Sequence, residues 1–287
     1  MRLGNGIAVF GVAMLALAGV AAAETPVERG AYLVNSIAGC GNCHTPKDAA
    51  VNPVPGMDLA GGYVFDEPFG HALSANITPD PDTGVGKWTD AQLIKALREG
   101  KRPDGTIIGP PMPIEWYRKM SDDDAAAIVA YIRTVKPIRH AVAKSQYKIP
   151  LPPSYGPPVG HVTAPPRTDK IAYGGYLAGP VGHCMECHTP FAKPGELDMS
   201  RLGAGGRDLP SGVGEGRVVS RNITPDREDG IGKWSDADIK RAITTGVRPD
   251  GTKLARIMAF NWYAKMTPGD LDAIVAYLRS LPPQKTR

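Results

Sequence analysis

Apolar side chains are distributed along this chain of 287 residues in two ways. From Ile7 to Val20 they form one run without a charged residue, preceded by Arg2 and followed by Ala21-Ala22-Ala23 and then Glu24. Basic, apolar and small segments in that order predict a secretory signal peptide over residues 1–23, and the run is short for a bilayer span. Beyond it, apolar residues recur at helical spacing behind capping signals. Thr25-Pro26-Val27-Glu28 supplies an N-cap, a proline at the first helical position and the glutamate of a capping box, so a helix runs from there towards Cys40. Thr168 is expected to open the matching helix before Cys184. Thr89, with Gln92 three residues on, opens a helix that stops at Gly100, and its counterpart runs from Ser235 to Gly246. The last helices begin near Ser121 and Thr267 and stop before Pro137 and Pro282. They turn Ile128, Val129 and Ile132, or Ile274, Val275 and Leu278, inwards. No stretch alternates convincingly enough for a strand. The expected fold class is mainly α, with long loops.

These paired signals belong to an internal repeat. Asn76-Ile77-Thr78-Pro79-Asp80 returns as Asn222-Ile223-Thr224-Pro225-Asp226, and Gly84-Val85-Gly86-Lys87-Trp88 as Gly230-Ile231-Gly232-Lys233-Trp234. Arg102-Pro103-Asp104-Gly105 returns as Arg248-Pro249-Asp250-Gly251, and Ala127-Ile128-Val129-Ala130-Tyr131 as Ala273-Ile274-Val275-Ala276-Tyr277. Two copies predict two tandem domains, residues 24–137 and 168–287. Between them residues 138–167 carry Pro152-Pro153, Pro157-Pro158 and Pro165-Pro166, the composition of a stiff surface spacer that sets how the two halves face each other. Aromatic residues make up only 7%, whereas glycine (34) and proline (28) are abundant, which suits many turns wrapped around a prosthetic group. The formal charge of +4 comes without a basic stripe, which argues against nucleic acid as a partner.

Each half holds one Cys-x-x-Cys-His, Cys40-Gly41-Asn42-Cys43-His44 and Cys184-Met185-Glu186-Cys187-His188, and together they use all four cysteines. Two intervening residues set the thiols about one helical turn apart, within reach of neighbouring porphyrin vinyl groups, and the next residue offers an imidazole to the iron. Disulfides would not explain a histidine after each second cysteine. A zinc site would need further Cys or His at ligand spacing, and a thioredoxin-like redox pair is the remaining alternative. The motifs therefore predict two covalently bound haem c groups. Such haem is attached after export, so the expected location is the periplasm.

The sixth iron ligand is a second question. Met112 in Gly109-Pro110-Pro111-Met112-Pro113 and Met258 in Arg256-Ile257-Met258-Ala259-Phe260 stand at equivalent places, in loops that follow the middle helix. Prolines stiffen the first loop and not the second, which predicts a more easily displaced Met258. Met120 and Met266 are also paired, but each precedes a helix N-cap and fits a packing role better. His71, His140, His161 and His183 have no histidine counterpart and are expected at the surface or in packing. Trp88 and Trp234 could reach a propionate through the indole N–H or simply fill the core. Arg102 and Arg248 could pair with propionates or be solvated in Pro-Asp-Gly turns.

With these residues in view, the chain resembles the class I cytochromes c, two domains in tandem, and is similar to the dihaem and multihaem cytochrome subunits of periplasmic dehydrogenases. The resemblance is carried by Gly30-x-Tyr32-Leu33-Val34, by the Asn-Ile-Thr-Pro-Asp and Gly-x-Gly-Lys-Trp segments, and by the Met loops and final helices. It implies that the first and last helices of each domain cross closely, Gly30 with Tyr131 and Gly174 with Tyr277. It also implies His44 and Met112 on one iron, and His188 and Met258 on the other. Subunits of alcohol and gluconate dehydrogenases, and electron acceptors of molybdenum hydroxylases, look like this but usually carry three such domains. The implied role is that of an electron carrier, not an enzyme. It would take single electrons from a dehydrogenase and pass them to a cytochrome or terminal oxidase, meeting the membrane only through a partner. The alternative is a dihaem redox enzyme, peroxidase-like or thiosulfate-oxidising, which would require an iron with an open site.

Overall fold

The computed structural model describes residues 23–210 and 216–286, so the signal-peptide expectation lies outside the described residues except at Ala23. Thr25 and Glu28 form the expected capping box, and with Pro26 in the first turn they start helix α1 (Pro26–Asn35). The first haem motif is itself a short helix, α2 (Cys40–His44), entered through Gly39 in the left-handed conformation. Strands β1 (Val64–Glu67) and β2 (Gly70–Leu73) then form a hairpin. Helix α3 (Asp90–Glu99) opens on the Thr89–Gln92 capping box and ends at left-handed Gly100. After α4 (Ile114–Tyr117), helix α5 (Asp122–Ile132) starts from Ser121 and buries Ile128, Val129 and Ile132.

A strand β3 (Gln146–Tyr147) precedes the second series, which opens with α6 (Lys170–Tyr176) and α7 (Cys184–His188). It continues through β4 (Phe191–Lys193), β5 (Glu196–Leu197), β6 (Asp208–Pro210) and β7 (Arg217–Val219). It closes with α8 (Asp236–Thr245), α9 (Phe260–Tyr263) and α10 (Pro268–Ser280), capped by Ser235 and Thr267 where those residues start a helix.

Two local expectations are corrected. The N-cap of α6 is Asp169 rather than Thr168; its carboxylate accepts from the Ala172 N–H and satisfies a first-turn donor. Strands do exist, among the described residues in three small antiparallel sheets of order β1-β2-β3, β4-β5 and β6-β7. None exceeds four residues, too few for an alternating pattern to stand out from a loop.

Helix α1 packs on α5, and α6 on α10, and each crossing is close because of one glycine. A Cβ on Gly30 would stand 1.9 Å from the Ala127 carbonyl oxygen and 2.8 Å from Tyr131 Cβ; on Gly174 it would stand 1.9 Å from Ala273 O and 2.9 Å from Tyr277 Cβ. The expected tyrosines are present, but the nearer obstacle is the facing backbone.

The two series also grip each other reciprocally. Tyr32 donates to Asp270 Oδ2 at 2.7 Å and accepts from the Thr267 N–H, while Tyr176 donates to Asp124 Oδ2 at 2.6 Å and accepts from the Ser121 N–H. The first helix of each series thus completes the N-terminal turn of the other's last helix. Buried apolar residues from both, including Leu33, Ile37, Ile128, Leu177, Val181 and Ile274, form one continuous cluster.

Residues 138–167 run over the surface, as their prolines suggest, but they attach to the first series. β3 joins β2 with His71 opposite Gln146, and the Asp122 and Val162 backbones meet at 2.9 Å. Farther along, Arg98 Nη2 donates to Gly160 O and the Val159 N–H to Glu99 Oε1. Among the described residues, no helix is long and apolar enough to cross a membrane.

Candidate haem-binding site

The site is built outwards from the two motif helices. None of the four cysteines is paired in a disulfide. Burial pushes Cys40 and Cys187 up to about 12 and Cys184 to about 11, and it raises Cys43 as well. Burial lowers His44 and His188, which keeps both imidazoles neutral and able to coordinate a metal.

The orientation of each imidazole is set by a peptide carbonyl. His44 Nδ1 lies 2.8 Å from Ala75 O, and His188 Nδ1 lies 2.6 Å from Arg221 O. An Nδ1–H donated to a carbonyl leaves Nε2 with its lone pair, the form in which a ring ligates iron.

The repeated Asn-Ile-Thr segments hold those carbonyls. Asn76 Nδ2 donates to Ile138 O at 2.8 Å while its Oδ1 accepts from the Thr78 N–H; Asn222 does the same with Gln284 O and Thr224. Left-handed Gly61 and Gly205 complete the arrangement. Each donates its N–H to the carbonyl of the motif histidine, and a Cβ on either would lie within 2.6 Å of the backbone around Ala75 or Arg221.

Beside His44 lies a mostly apolar cavity of about 220 Å3. Its wall includes Cys40, Cys43, His44, Trp88, Arg102 and the whole loop from Gly109 to Pro113, Met112 among them. A smaller cavity of about 50 Å3 brings Cys184, His188 and Met258 together, with Met266 also in its wall. Met120 is fully buried and lies outside both walls.

The paired tryptophans and arginines differ between the halves. Trp88 and Arg102 line the first cavity, although Arg102 Nη1 also donates to Ile107 O at 2.9 Å. Trp234 packs against the core, and Arg248 donates to Thr252 Oγ1 within its turn; neither lines the second cavity.

The unpaired histidines fall mostly outside. His71 meets Asp66, His161 meets Asp122, and His140 Nδ1 meets Ala60 O. His183 is the exception, for it lines the first cavity and sets its ring edge-on to Tyr117.

Between the two cavities stand residues that belong to no motif considered above. Tyr263 lines both, and Tyr117, its counterpart in the repeat, lines the first. Trp262 lies over the first motif, where a Cβ on Gly41 would come 2.3 Å from its Cη2; the second motif has buried Met185 at that position. The repetition of Trp-Tyr at 116–117 and 262–263 was the available signal.

A cation and ring also change places between the halves. Lys47 Nζ sits 4.3 Å from the Tyr63 ring, and the Arg207 guanidinium sits 4.1 Å from the Phe191 ring. The cation reaches the third residue of each motif, Lys47 to Asn42 Oδ1 and Arg207 to Glu186 O.

Paired thiols beside a neutral histidine with a fixed ring, in an apolar wall, are the arrangement that covalent attachment of haem needs. The cytochrome c family model matches residues 27–136. The chain belongs to the cytochrome c family, whose members carry electrons on covalently attached haem. It is 35% identical to the fructose dehydrogenase cytochrome subunit of Gluconobacter japonicus, over 91% of this chain and 54% of that protein. It is 36% identical to the cytochrome c subunit of the quinone alcohol dehydrogenase of Gluconacetobacter polyoxogenes, over 93% and 59%. With a dihaem c-type cytochrome of Cereibacter sphaeroides the identity is 32%, over 85% of this chain and 82% of that one. The chain therefore spans a little over half the length of the two dehydrogenase subunits. Those relatives are cytochrome subunits and not the catalytic subunits of their dehydrogenases.

Proposed function

We propose that the chain is a periplasmic dihaem cytochrome c, with tandem domains at 24–137 and 168–287 and the strap 138–167 between them. It takes single electrons from a dehydrogenase and delivers them to a downstream cytochrome or terminal oxidase. The observation that carries this reading is the presence of a motif histidine and the equivalent methionine in one cavity wall, once in each half. When bound, haem supplies the one-electron couple; the chain holds its ligands so that little rearrangement accompanies each transfer. His44 and Met112 would hold one iron, and His188 and Met258 the other. Cys40 with Cys43, and Cys184 with Cys187, would form the thioethers. Tyr263, in both walls, supports a short path between the two groups. The cytochrome subunits of fructose and alcohol dehydrogenases support a dehydrogenase as donor.

Met112→Ala and Met258→Ala test the reading. Each is expected to remove part of the weak red absorption band of thioether-ligated ferric haem and to lower one midpoint potential by on the order of 100 mV. An unchanged spectrum and potential in either variant would refute that ligand. Peroxide added to the reduced wild-type protein should oxidise it stoichiometrically, whereas sustained turnover would favour the dihaem enzyme instead.

Glu186 gives a separate prediction. Burial pushes its carboxyl up to about 7 against the pull of Arg207, and it lies next to Cys187. Ionisation as pH rises through 7 favours the more positive, oxidised haem. Glu186 acts on Cys43 as well as on Cys187, so the haem potentials should fall between pH 6 and 8 by on the order of tens of millivolts, and Glu186→Gln should flatten that slope.

A further inference from the structure

The segment joining the two halves touches the Met112 loop at three successive residues. Tyr155 donates its hydroxyl to Ile108 O at 2.8 Å, and Tyr147 donates to Pro110 O at 3.0 Å. Between them, a Cβ on Gly109 would lie 2.5 Å from Tyr147 Cζ and 2.7 Å from Leu151 Cδ2. The segment is itself fixed on both sides of these contacts. Upstream, Tyr147 is opposite Gly70 in the sheet, and the Lys148 N–H donates to Phe69 O at 2.9 Å. Downstream, Arg118 Nη2 donates to Pro157 O, and Asp122, paired with buried Arg98, accepts from the Val162 N–H.

The second half is built differently at the matching place. Ala255 occupies the position of Gly109, with a methyl group where the first loop is bare. The chain after α10 repeats the Ile138–Asn76 contact, with Gln284 O accepting from Asn222, and its Thr286 hydroxyl donates to Ala204 O. Among the contacts of the described residues, Arg256 of the Met258 loop donates its side chain to Ala50 O at 3.0 Å.

We propose that Tyr147 and Tyr155 are positioning residues that clamp the Met112 loop from outside, so that the first haem keeps its thioether ligand against competing ligands while the second exchanges its own more readily. The proposal rests on the assignment of Met112 and Met258 as iron ligands. Any chain movement that carries Met112 away from iron must shift the Ile108–Pro110 backbone, and the two hydroxyls and the Tyr147 ring oppose that shift. A loop hydrogen bond contributes roughly a factor of two to ten to such an opening equilibrium. The asymmetry would let one haem remain a fixed carrier while the other stays open to adjustment.

The test is an imidazole titration of the oxidised holoprotein, following the loss of the red thioether band. Wild type should lose the band in two phases, the one at higher imidazole disappearing in Met112→Ala. In Tyr147→Phe/Tyr155→Phe that phase should move to about tenfold lower imidazole, with the other phase unmoved. Tyr155→Phe alone, a milder change should the double variant not fold, should move it about threefold. An unmoved high-imidazole phase in both variants would overturn the clamp. A band that survives Met112→Ala in full would instead overturn the ligand assignment beneath it, and the two failures are thereby distinguished. The spread of haem content, measured by its pyridine adduct, should stay at wild-type level in every variant counted.

Discussion

Alanine at Gly30 or Gly174 is expected to destabilise the protein by about 3 kcal/mol or more, at the upper end of overpacking effects. The sign is opposite to the usual one, since alanine in place of glycine within a helix gains up to about 1 kcal/mol. Here the added methyl would meet the Ala127 or Ala273 carbonyl at 1.9 Å, and a backbone oxygen in a packed helix cannot rotate away. Relief requires α1 to draw back from α5, or α6 from α10, which opens the core that backs each cavity. Gly269 provides an internal control. It lies in the first turn of α10, where a Cβ would meet nothing within 4 Å, and Gly269→Ala should be neutral or stabilising. Denaturant unfolding of the three holoproteins checks this. Equal midpoints for Gly174→Ala and Gly269→Ala would show that the crossing tolerates more space than its geometry allows.

Removal of Asp124 should cost about 3–5 kcal/mol, the loss expected when a buried charge is left without its partner. Its carboxylate holds Arg29 Nε at 2.7 Å and Nη2 at 3.1 Å, and accepts from the Tyr176 hydroxyl. The Arg29 and Asp124 side chains are 11% and 7% exposed, so Asp124→Ala would leave a guanidinium largely shielded from water. Asp270 is the repeat counterpart and accepts from Tyr32, but the position matching Arg29 is occupied by the uncharged Tyr173. Asp270→Ala therefore loses a buried hydrogen bond worth about 1–2 kcal/mol. Equal losses for the two alanine variants in denaturant unfolding would contradict the role assigned to Arg29.

The helix caps are legible in the sequence because each is a local matter. Thr25 with Glu28, Thr89 with Gln92 and Ser235 with Asp238 close hydrogen bonds within four residues, whatever the rest of the chain does. Thr168 was misplaced by one residue because Asp169 offers a carboxylate at the better position. The short strands escaped notice because each is held by its partner and not by a pattern of its own. β3 is two residues long and exists because it lies beside β2. The prolines of residues 138–167 are visible in the sequence, yet the grip of this segment on the Met112 loop depends on Tyr147 and Tyr155, two tyrosines among ten.

The order of residues was enough for the Cys-x-x-Cys-His motifs, the repeated segments and most helix starts, because these follow from chemistry at fixed short spacing. Tertiary structure alone decided how the copies join: Tyr32 on Asp270, Tyr176 on Asp124, Trp262 over Gly41, and Tyr263 in both cavity walls. It also decided that Lys47 with Tyr63 and Arg207 with Phe191 are one device with cation and ring exchanged. The physical reason is distance along the chain. Common residue types become partners only when the fold brings remote segments into contact, and no local period marks which of them will meet.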